Sequence, residues 1–459
     1  MIRKFDSLHR ALRAATTIVL LFVLAGCDGE QKPPHIFVVS IDTLRADALA
    51  PYGETQVETP AASALAAEGT LFTRAVTPMG ITIPVHATIL TGLMPRIHGV
   101  RANVHRLADN VPAIAEALDA GGYASASILS LGAMNFMSGL DRGFDHASDR
   151  EEDGRVFRRD DAETLNMALE WIGRQDGETP LFMLLHFYDV HSPHLRTEYT
   201  PAMPDGYAGP LTDGISVETL YNESQALLAG RPDELAALGA LYAGEAAEAD
   251  RRVDRFIEAL RAQGLLENSV IIYLADHGQG LGENDYFGHG PTLEQTVLHV
   301  PIIIRDFRKR AASRRVTETV GLIDIAPTIL SLAGLDAEAL PGRNLLALSQ
   351  VEPPTVYISE VEQRSSQTEF RPEHFDDEAL AAYFDTYKYV ESDGEQRLYR
   401  IDEIWGHKIE PAELDELHES LRIWLAERMQ DYREGNASSE RADLDDEAIE
   451  HLRSLGYIQ

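Results

Sequence analysis

Unbroken apolar runs alternate with amphipathic stretches along most of the chain. HIFVVSID, at 35–42, is apolar and rich in β-branched residues, which predicts a strand buried in a parallel sheet. TPAASALAAEGTLFTRAV follows with helical spacing and Gly69 as its stop. VPAIAEALDAGGYASASIL reads as a helix, a Gly-Gly break and a strand, and DAETLNMALEWIGRQ as a helix leading into the strand PLFMLLHFYDVH. AALGALYAGEAAEADRRVDRFIEALRAQGLL predicts a long helix, after which SVIIYLADHG and VPIIIRD read as two further strands. Helix and strand alternating over about 300 residues predict a doubly wound α/β fold, a sheet flanked by helices. The pattern changes after about residue 336. PTVYISEVE and TYKYVESDGEQRLYRI alternate like antiparallel strands, with Asp393-Gly394 as a hairpin turn. PAELDELHESLRIWLAERMQDYREG reads as an amphipathic helix with Pro411 near its start. The expected organisation is a large α/β domain over 35–335 and a smaller α+β subdomain over 336–459.

At 459 residues the chain suits such a division. Its 74 acidic against 40 basic residues leave a net charge of −34, which argues against a general binder of nucleic acid or anionic membrane. An anionic substrate would need a local positive charge, such as a metal. The N-terminus adds a targeting signal: Arg3, Lys4, Arg10 and Arg13 precede the apolar run AATTIVLLFVLAG, too short to span a bilayer comfortably. It ends in LAGC, whose Cys27 is the only cysteine. This resembles the bacterial lipoprotein signal, which implies lipidation at Cys27, a signal peptide and lipobox over 1–27 and a polar tether over 28–34. The expected location is the bacterial cell envelope, anchored to the inner or outer membrane and facing the periplasm. With one cysteine the fold has no internal disulfide.

Open α/β sheets gather their ligand-binding residues at the carboxyl ends of strands. Here VVSIDT ends in Asp42, HFYDVHSPH offers Asp189, His191 and His194, YLADHG ends in Asp276-His277, and FGHG adds His289. Carboxylate and imidazole together suit a divalent metal such as zinc. In GITIPVHATILTG, Thr82 stands two residues before Pro84, near a predicted helix N-terminus that favours anions. It is a helix cap or, beside a bound metal that lowers its hydroxyl pKa, a nucleophile. The metal-type strand ends favour the nucleophile.

SIDTLRAD, TIPVHATILTG, DVHSPH, ADHGQGLGEN…FGHG and VPIII…GLIDIAPTILSLAGL together resemble the sulfatase family of the alkaline phosphatase superfamily, in order over roughly residues 35 to 335. The tail LRSLGY resembles the ends of lipoprotein members. The resemblance implies an alkaline-phosphatase-like mixed sheet. It also implies a metal held by Asp42, Asp276 and His277, with Thr82 at the nucleophile position. His289 falls where sulfatases often carry an anion-contacting Lys, and His86 where they carry the Arg of a Cys/Ser-x-Pro-x-Arg signature. Asp189, His191 and His194 fall in the region that supplies substrate contacts, or a second metal's ligands in phosphodiesterases.

The chain departs from the sulfatase pattern in three places. Sulfatases oxidise a Cys or Ser at position 82 to an aldehyde, and oxidising Thr would give a ketone. The paired acidic residues of the first strand are here Asp42-Thr43. No Gly-Lys-Trp-His-like segment follows Gly121-Gly122-Tyr123. A Thr nucleophile resembles instead nucleotide pyrophosphatases, phosphoethanolamine transferases and lipoteichoic acid synthase, which run through a phospho-Thr at zinc or manganese. The expectation is therefore a hydrolase of phosphate esters, with catalytic Thr82, His289 and His86 and one or two divalent ions, zinc or manganese before calcium. Its substrate would be a small-molecule or head-group ester. Sulfate-ester hydrolysis, transfer of a phosphoethanolamine or glycerophosphate group, and a non-catalytic binding lipoprotein are the alternatives. Arg45 and Asp47 read either as site-lining residues or as a surface salt bridge, and His98 and His299 as structural.

Overall fold

A computed structural model of the chain describes residues 32–53, 55–148, 158–290, 292–348, 355–361, 379–392, 394–401, 409–411, 416–434 and 440–441. Cys27, the signal segment, residues 28–31 of the tether and the LRSLGY tail lie outside the described residues. The chain divides into two compact units, 1–33 and 34–459, and every described strand and helix belongs to the second. Among the described residues no helix is long and apolar enough to cross a membrane.

A nine-stranded mixed sheet forms the centre of this unit. The strands are β1 (His35–Ile41), β2 (Thr70–Val76), β3 (Ala124–Leu129), β4 (His146–Ala147), β5 (Leu181–Phe187), β6 (Ser269–Ala275), β7 (His299–Asp306), β8 (Arg314–Val316) and β9 (Val320–Gly321). They run β8-β2-β7-β6-β1-β5-β3-β4, with β9 also paired to β2. β1 lies between β5 and β6, parallel to both, and every residue of the three strands is buried. That position accounts for their largely apolar sequences. In register, Ile41 stands beside both Phe187 and Ala275, so β1, β5 and β6 reach one edge together. β7 runs antiparallel to β6 and β2, a direction its apolar run does not encode.

Helix α1 (Pro60–Glu68) ends at Gly69, and TLFTRAV beyond it is strand β2, not more helix. Gly69 is needed for close approach: a Cβ there would meet Ile304 O at 2.5 Å. Helices α2 (Thr82–Thr91), α3 (Ile114–Ala120), α4 (Asp161–Gly173) and α5 (Pro232–Ala262) flank the sheet. Phe256 of α5, for example, packs edge-on against Phe37 of β1 with ring centroids 5.4 Å apart.

A second, antiparallel sheet joins β10 (Tyr357–Val361), β11 (Ala379–Phe384), β12 (Tyr387–Ser392), β13 (Glu395–Ile401) and β14 (Ile409–Pro411) in sequence order. The hairpin between β12 and β13 forms as expected, with Gly394 at φ 74°. Pro411 does not open a helix; it ends β14 opposite Tyr399, and the described helix α6 is Glu416–Glu434. Leu425 and Met429 of α6 pack on Leu380 and Tyr389. β10 is tied to the loop ahead of α2: Glu360 N donates to Pro78 O at 2.8 Å and Ser359 Oγ to Thr77 O at 2.6 Å.

Candidate active site

Because β1 and β6 are neighbours in register, the residues just beyond them, Asp42 and Asp276-His277, meet at one sheet edge. Asp42 N donates to Phe187 O at 2.9 Å and so prolongs the ladder by one residue. Asp276 Oδ1 accepts from His277 N at 2.8 Å and Thr43 N at 3.2 Å, while Oδ2 accepts no hydrogen bond among the described residues. Thr43 sits at φ 56°, a left-handed conformation that costs a β-branched residue energy. A buried Tyr242 from α5 secures it: its hydroxyl donates to Thr43 O at 2.7 Å and accepts from Arg45 N at 2.8 Å.

His277 Nδ1 donates to Gly278 O at 3.1 Å, which leaves the Nε2 lone pair facing the carboxylates. Nε2 is 3.5 Å from Asp276 Oδ2 and 3.9 Å from Asp42 Oδ1. Donor atoms of Asp42, Asp276 and His277 all lie within 4.8 Å of one another, and the three side chains are fully buried. Burial opposes charge on Asp42, yet the contact with His186 and the fields of His191, His186 and His277 hold its carboxyl below its ordinary range. Burial, then the Asp42 charge, push Asp276 well above its own. Two buried carboxylates side by side, one oxygen of Asp276 unsatisfied and an imidazole lone pair aimed at them, make a donor set that fits a divalent cation.

Thr82 is the first helical residue of α2, with Ile81 as the N-cap. Its hydroxyl does not cap the helix: Asn103 Oδ1 takes the Ile83 N–H at 3.0 Å, and Thr82 Oγ1 instead donates to His277 Nε2 at 3.3 Å. One turn on, His86 Nδ1 donates to Thr82 O at 2.9 Å and its Nε2 accepts from Ser40 Oγ at 3.0 Å. Burial and then His186 push the His86 pKa down to about 3, so it acts as a neutral brace on the first turn of α2.

His289 reaches the same place from the other side. Its Nδ1 donates to Gly80 O at 3.2 Å, and its ring stacks on His277 with centroids 4.5 Å apart. His191, whose Nδ1 donates to Ser192 O at 2.8 Å, faces it Nε2 to Nε2 at 2.9 Å. With both Nδ1 atoms donating, two Nε2 lone pairs converge, and burial holds both rings below the ordinary imidazole range. Thr82, His86, Asp42, Asp276, His277, His289 and His191 thus come together.

Asp189 and His194 turn elsewhere. Asp189 pairs with Arg252 at 3.2 Å and Arg158 at 3.4 Å. His194 Nδ1 donates to Glu245 Oε2 at 2.7 Å, and its Nε2 accepts from Gln279 Nε2 at 3.2 Å. Among the described residues neither belongs to a group able to share an ion. Arg45 is itself buried and pairs with the more exposed Asp47 at 2.9 Å and Glu283 at 2.8 Å. His98 and His299 serve the frame: His98 Nδ1 accepts from Val100 N at 3.1 Å and its Nε2 donates to Thr88 Oγ1 at 3.1 Å, and His299 Nε2 donates to Thr73 O at 3.0 Å.

Sequence reasoning passed over Ser40, Asn103, Tyr242 and His186. The one signal for His186 was a lone imidazole inside an apolar strand, LFMLLHF.

The sulfatase family model matches residues 34–335. The chain belongs to the sulfatase family. Every residue of the Asp42–Thr82–His277–His289 group falls inside that span, and the family is one of ester hydrolases. The chain is 23% identical over 435 residues to the uncharacterized sulfatase YidJ of Escherichia coli strain K12, covering 86% of this chain and 84% of that protein. Its fold resembles that of the phosphonate monoester hydrolase of Agrobacterium radiobacter, with a TM-score of 0.66 and 22% identity over 87% of this chain and 95% of the other. It also resembles a protein solved in complex with its substrate D-glucosamine-2-N,6-O-disulfate, with a TM-score of 0.69 and 18% identity over 88% and 98% of the two chains. At such identities the structural likenesses speak for the shared fold.

Proposed function

We propose that this sulfatase-family hydrolase cleaves phosphate esters with Thr82 as its nucleophile. The observation that carries the reading is the Thr82 hydroxyl, 3.3 Å from His277 Nε2 at the edge of the Asp42–Asp276–His277 group. Asp42, Asp276 and His277 would hold a divalent cation, which supplies a Lewis acid beside the hydroxyl and neutralises the transferred anion. Two carboxylates and an imidazole favour zinc or manganese over calcium, which takes six to eight oxygens.

Within that setting Thr82 Oγ1 attacks phosphorus. The Oγ1–P bond forms as the P–O ester bond breaks; the hydroxyl proton passes to solvent water, and the leaving alkoxide takes a proton from solvent water. Water then attacks the phospho-Thr82, the P–Oγ1 bond breaks, and the Thr82 hydroxyl is restored with release of phosphate. His289 Nε2 and His191 Nε2, 2.9 Å apart, would bind the substrate's anion through its metal or hold a second ion. His86 holds the Thr82 carbonyl, and with it the start of α2, in place.

Sulfate-ester hydrolysis by the aldehyde route requires Cys or Ser where this chain has Thr82, so phosphate is preferred. An acceptor alcohol in place of water would turn the same intermediate into transfer. The reading takes Cys27 as the lipid anchor, with the enzyme facing the periplasm; the mass of the mature N-terminal peptide tests this. The test of function is metal analysis of purified protein with a screen of aryl phosphate mono- and diesters and aryl sulfates. Turnover of phosphoesters is expected. Good turnover of aryl sulfates with none of any phosphoester would overturn the preference.

A further inference from the structure

His186 is the one polar residue of β5 and is fully buried. It stands in register with Ser40 on β1 and Leu129 on β3. Partners in register point to the same face of a sheet, and so does Asp42, two residues beyond Ser40. The result is a row on one face. Ser40 reaches His86, and His186 Nε2 approaches Asp42 Oδ2 at 3.5 Å with its ring edge-on to His86, centroids 5.2 Å apart.

Two facts set His186 apart. Neither of its ring nitrogens makes a hydrogen bond among the described residues, though burying an unsatisfied imidazole nitrogen is costly. The group able to share one ion stops at Asp42, Asp276 and His277 and does not take in His186. The imidazole therefore faces the outer oxygen of Asp42, Oδ2, while Oδ1 faces His277 Nε2 at 3.9 Å. Carboxylate ligands of metals are themselves commonly held by a hydrogen bond of this outer kind.

We infer that His186 is a positioning residue for the metal site: its Nε2–H is the donor that fixes Asp42 with Oδ2 outward and Oδ1 toward the ion. The inference rests on the metal reading of Asp42, Asp276 and His277, and is independent of whether phosphate or sulfate is the substrate. In the metal-free fold the contact of His186 with Asp42 is loose, 3.5 Å, and the ring nitrogens make no close hydrogen bond. His186 acts only when Asp42 must hold one orientation.

The experiment compares wild type with H186L, which removes the donor, and H186Q, which restores an N–H. Zinc affinity is read by competition with a chromogenic chelator, and metal-free stability by thermal unfolding in EDTA. H186L is expected to lose zinc affinity by roughly 10- to 100-fold, with a metal-free Tm equal to or above wild type. H186Q should recover most of the affinity. If H186L does not fold, H186F carries the same comparison. Equal zinc affinity in wild type and the apolar variant would overturn the inference while leaving the metal site intact. So would a fall in metal-free Tm without loss of affinity, the mark of a merely structural residue. A wild type that binds no divalent ion would overturn the metal reading itself, and this inference with it.

Discussion

Replacing Asp276 by Asn should stabilise the metal-free protein while destroying its metal response. The amide oxygen can still accept from His277 N and Thr43 N, the two bonds now made by Oδ1. The amide N–H2 takes the place of Oδ2, the unsatisfied oxygen, and can donate toward Asp42. Burial and then the Asp42 charge push the Asp276 carboxyl well above its ordinary range, so the metal-free folded state holds a proton there that the unfolded chain gives up, at about 1.4 kcal/mol per unit of rise, and Asn removes that requirement. Weaker amide hydrogen bonds give back roughly 1–2 kcal/mol. The net gain is roughly 1–3 kcal/mol, which for a unit of this size raises Tm by about 1–3 °C. Wild type with zinc or manganese at a hundredfold excess over Kd should gain about 2.7 kcal/mol, a shift D276N should lack. Thermal unfolding in EDTA and with added metal reads both. A metal-free D276N that melts below wild type would count against this, since it would mean the carboxylates are not in conflict.

Asp250 caps α1 from a distance, accepting from Ala61 N and Ala62 N at 2.9 Å each, and burial pushes its carboxyl up to about 7. The folded state then keeps a proton that the unfolded chain loses near its ordinary 3.8, so stability should fall as pH rises from about 4 to about 7 and level off above. Across that window the contribution is on the order of 4 kcal/mol at most; D250N should show a shallower Tm-against-pH curve, and an unchanged slope would contradict the assignment. Y242F removes the hydroxyl that joins Thr43 O to Arg45 N and leaves two buried backbone groups unpaired. A loss of about 2–4 kcal/mol in urea unfolding and weaker metal binding are expected; wild-type values in both would show that Thr43 needs no such support.

The parts of the site that were legible in the sequence are those where an apolar strand stops and a charged residue begins. Asp42 and Asp276-His277 follow largely apolar, buried strands, and parallel pairing does the rest. Thr82 was visible through Pro84, but its release from capping depends on Asn103, distant in sequence and placed by the fold. Asp189, His191 and His194 looked equivalent in HFYDVHSPH because their partners lie elsewhere: Arg252 and Glu245 on α5, and His289 in the loop after β6. His186 was hidden because a buried imidazole and a buried Leu occupy the same kind of position in an apolar strand. In the fold, helix and strand order was readable from period and length. The reversed direction of β7 was not, because alternation and hydrophobicity are the same read forwards or backwards. The separation of β2 from α1 turned on Gly69, whose reason is the backbone of Ile304.

The central claim is that Thr82 forms a covalent bond to the transferred group. Its sharpest test is intact-protein and peptide mass spectrometry after rapid acid quench, during turnover of an aryl phosphoester. A phosphoryl adduct is expected on the peptide containing Thr82 and absent from T82A, which should also lose at least about a thousandfold in kcat/KM. Wild-type turnover by T82A would contradict it.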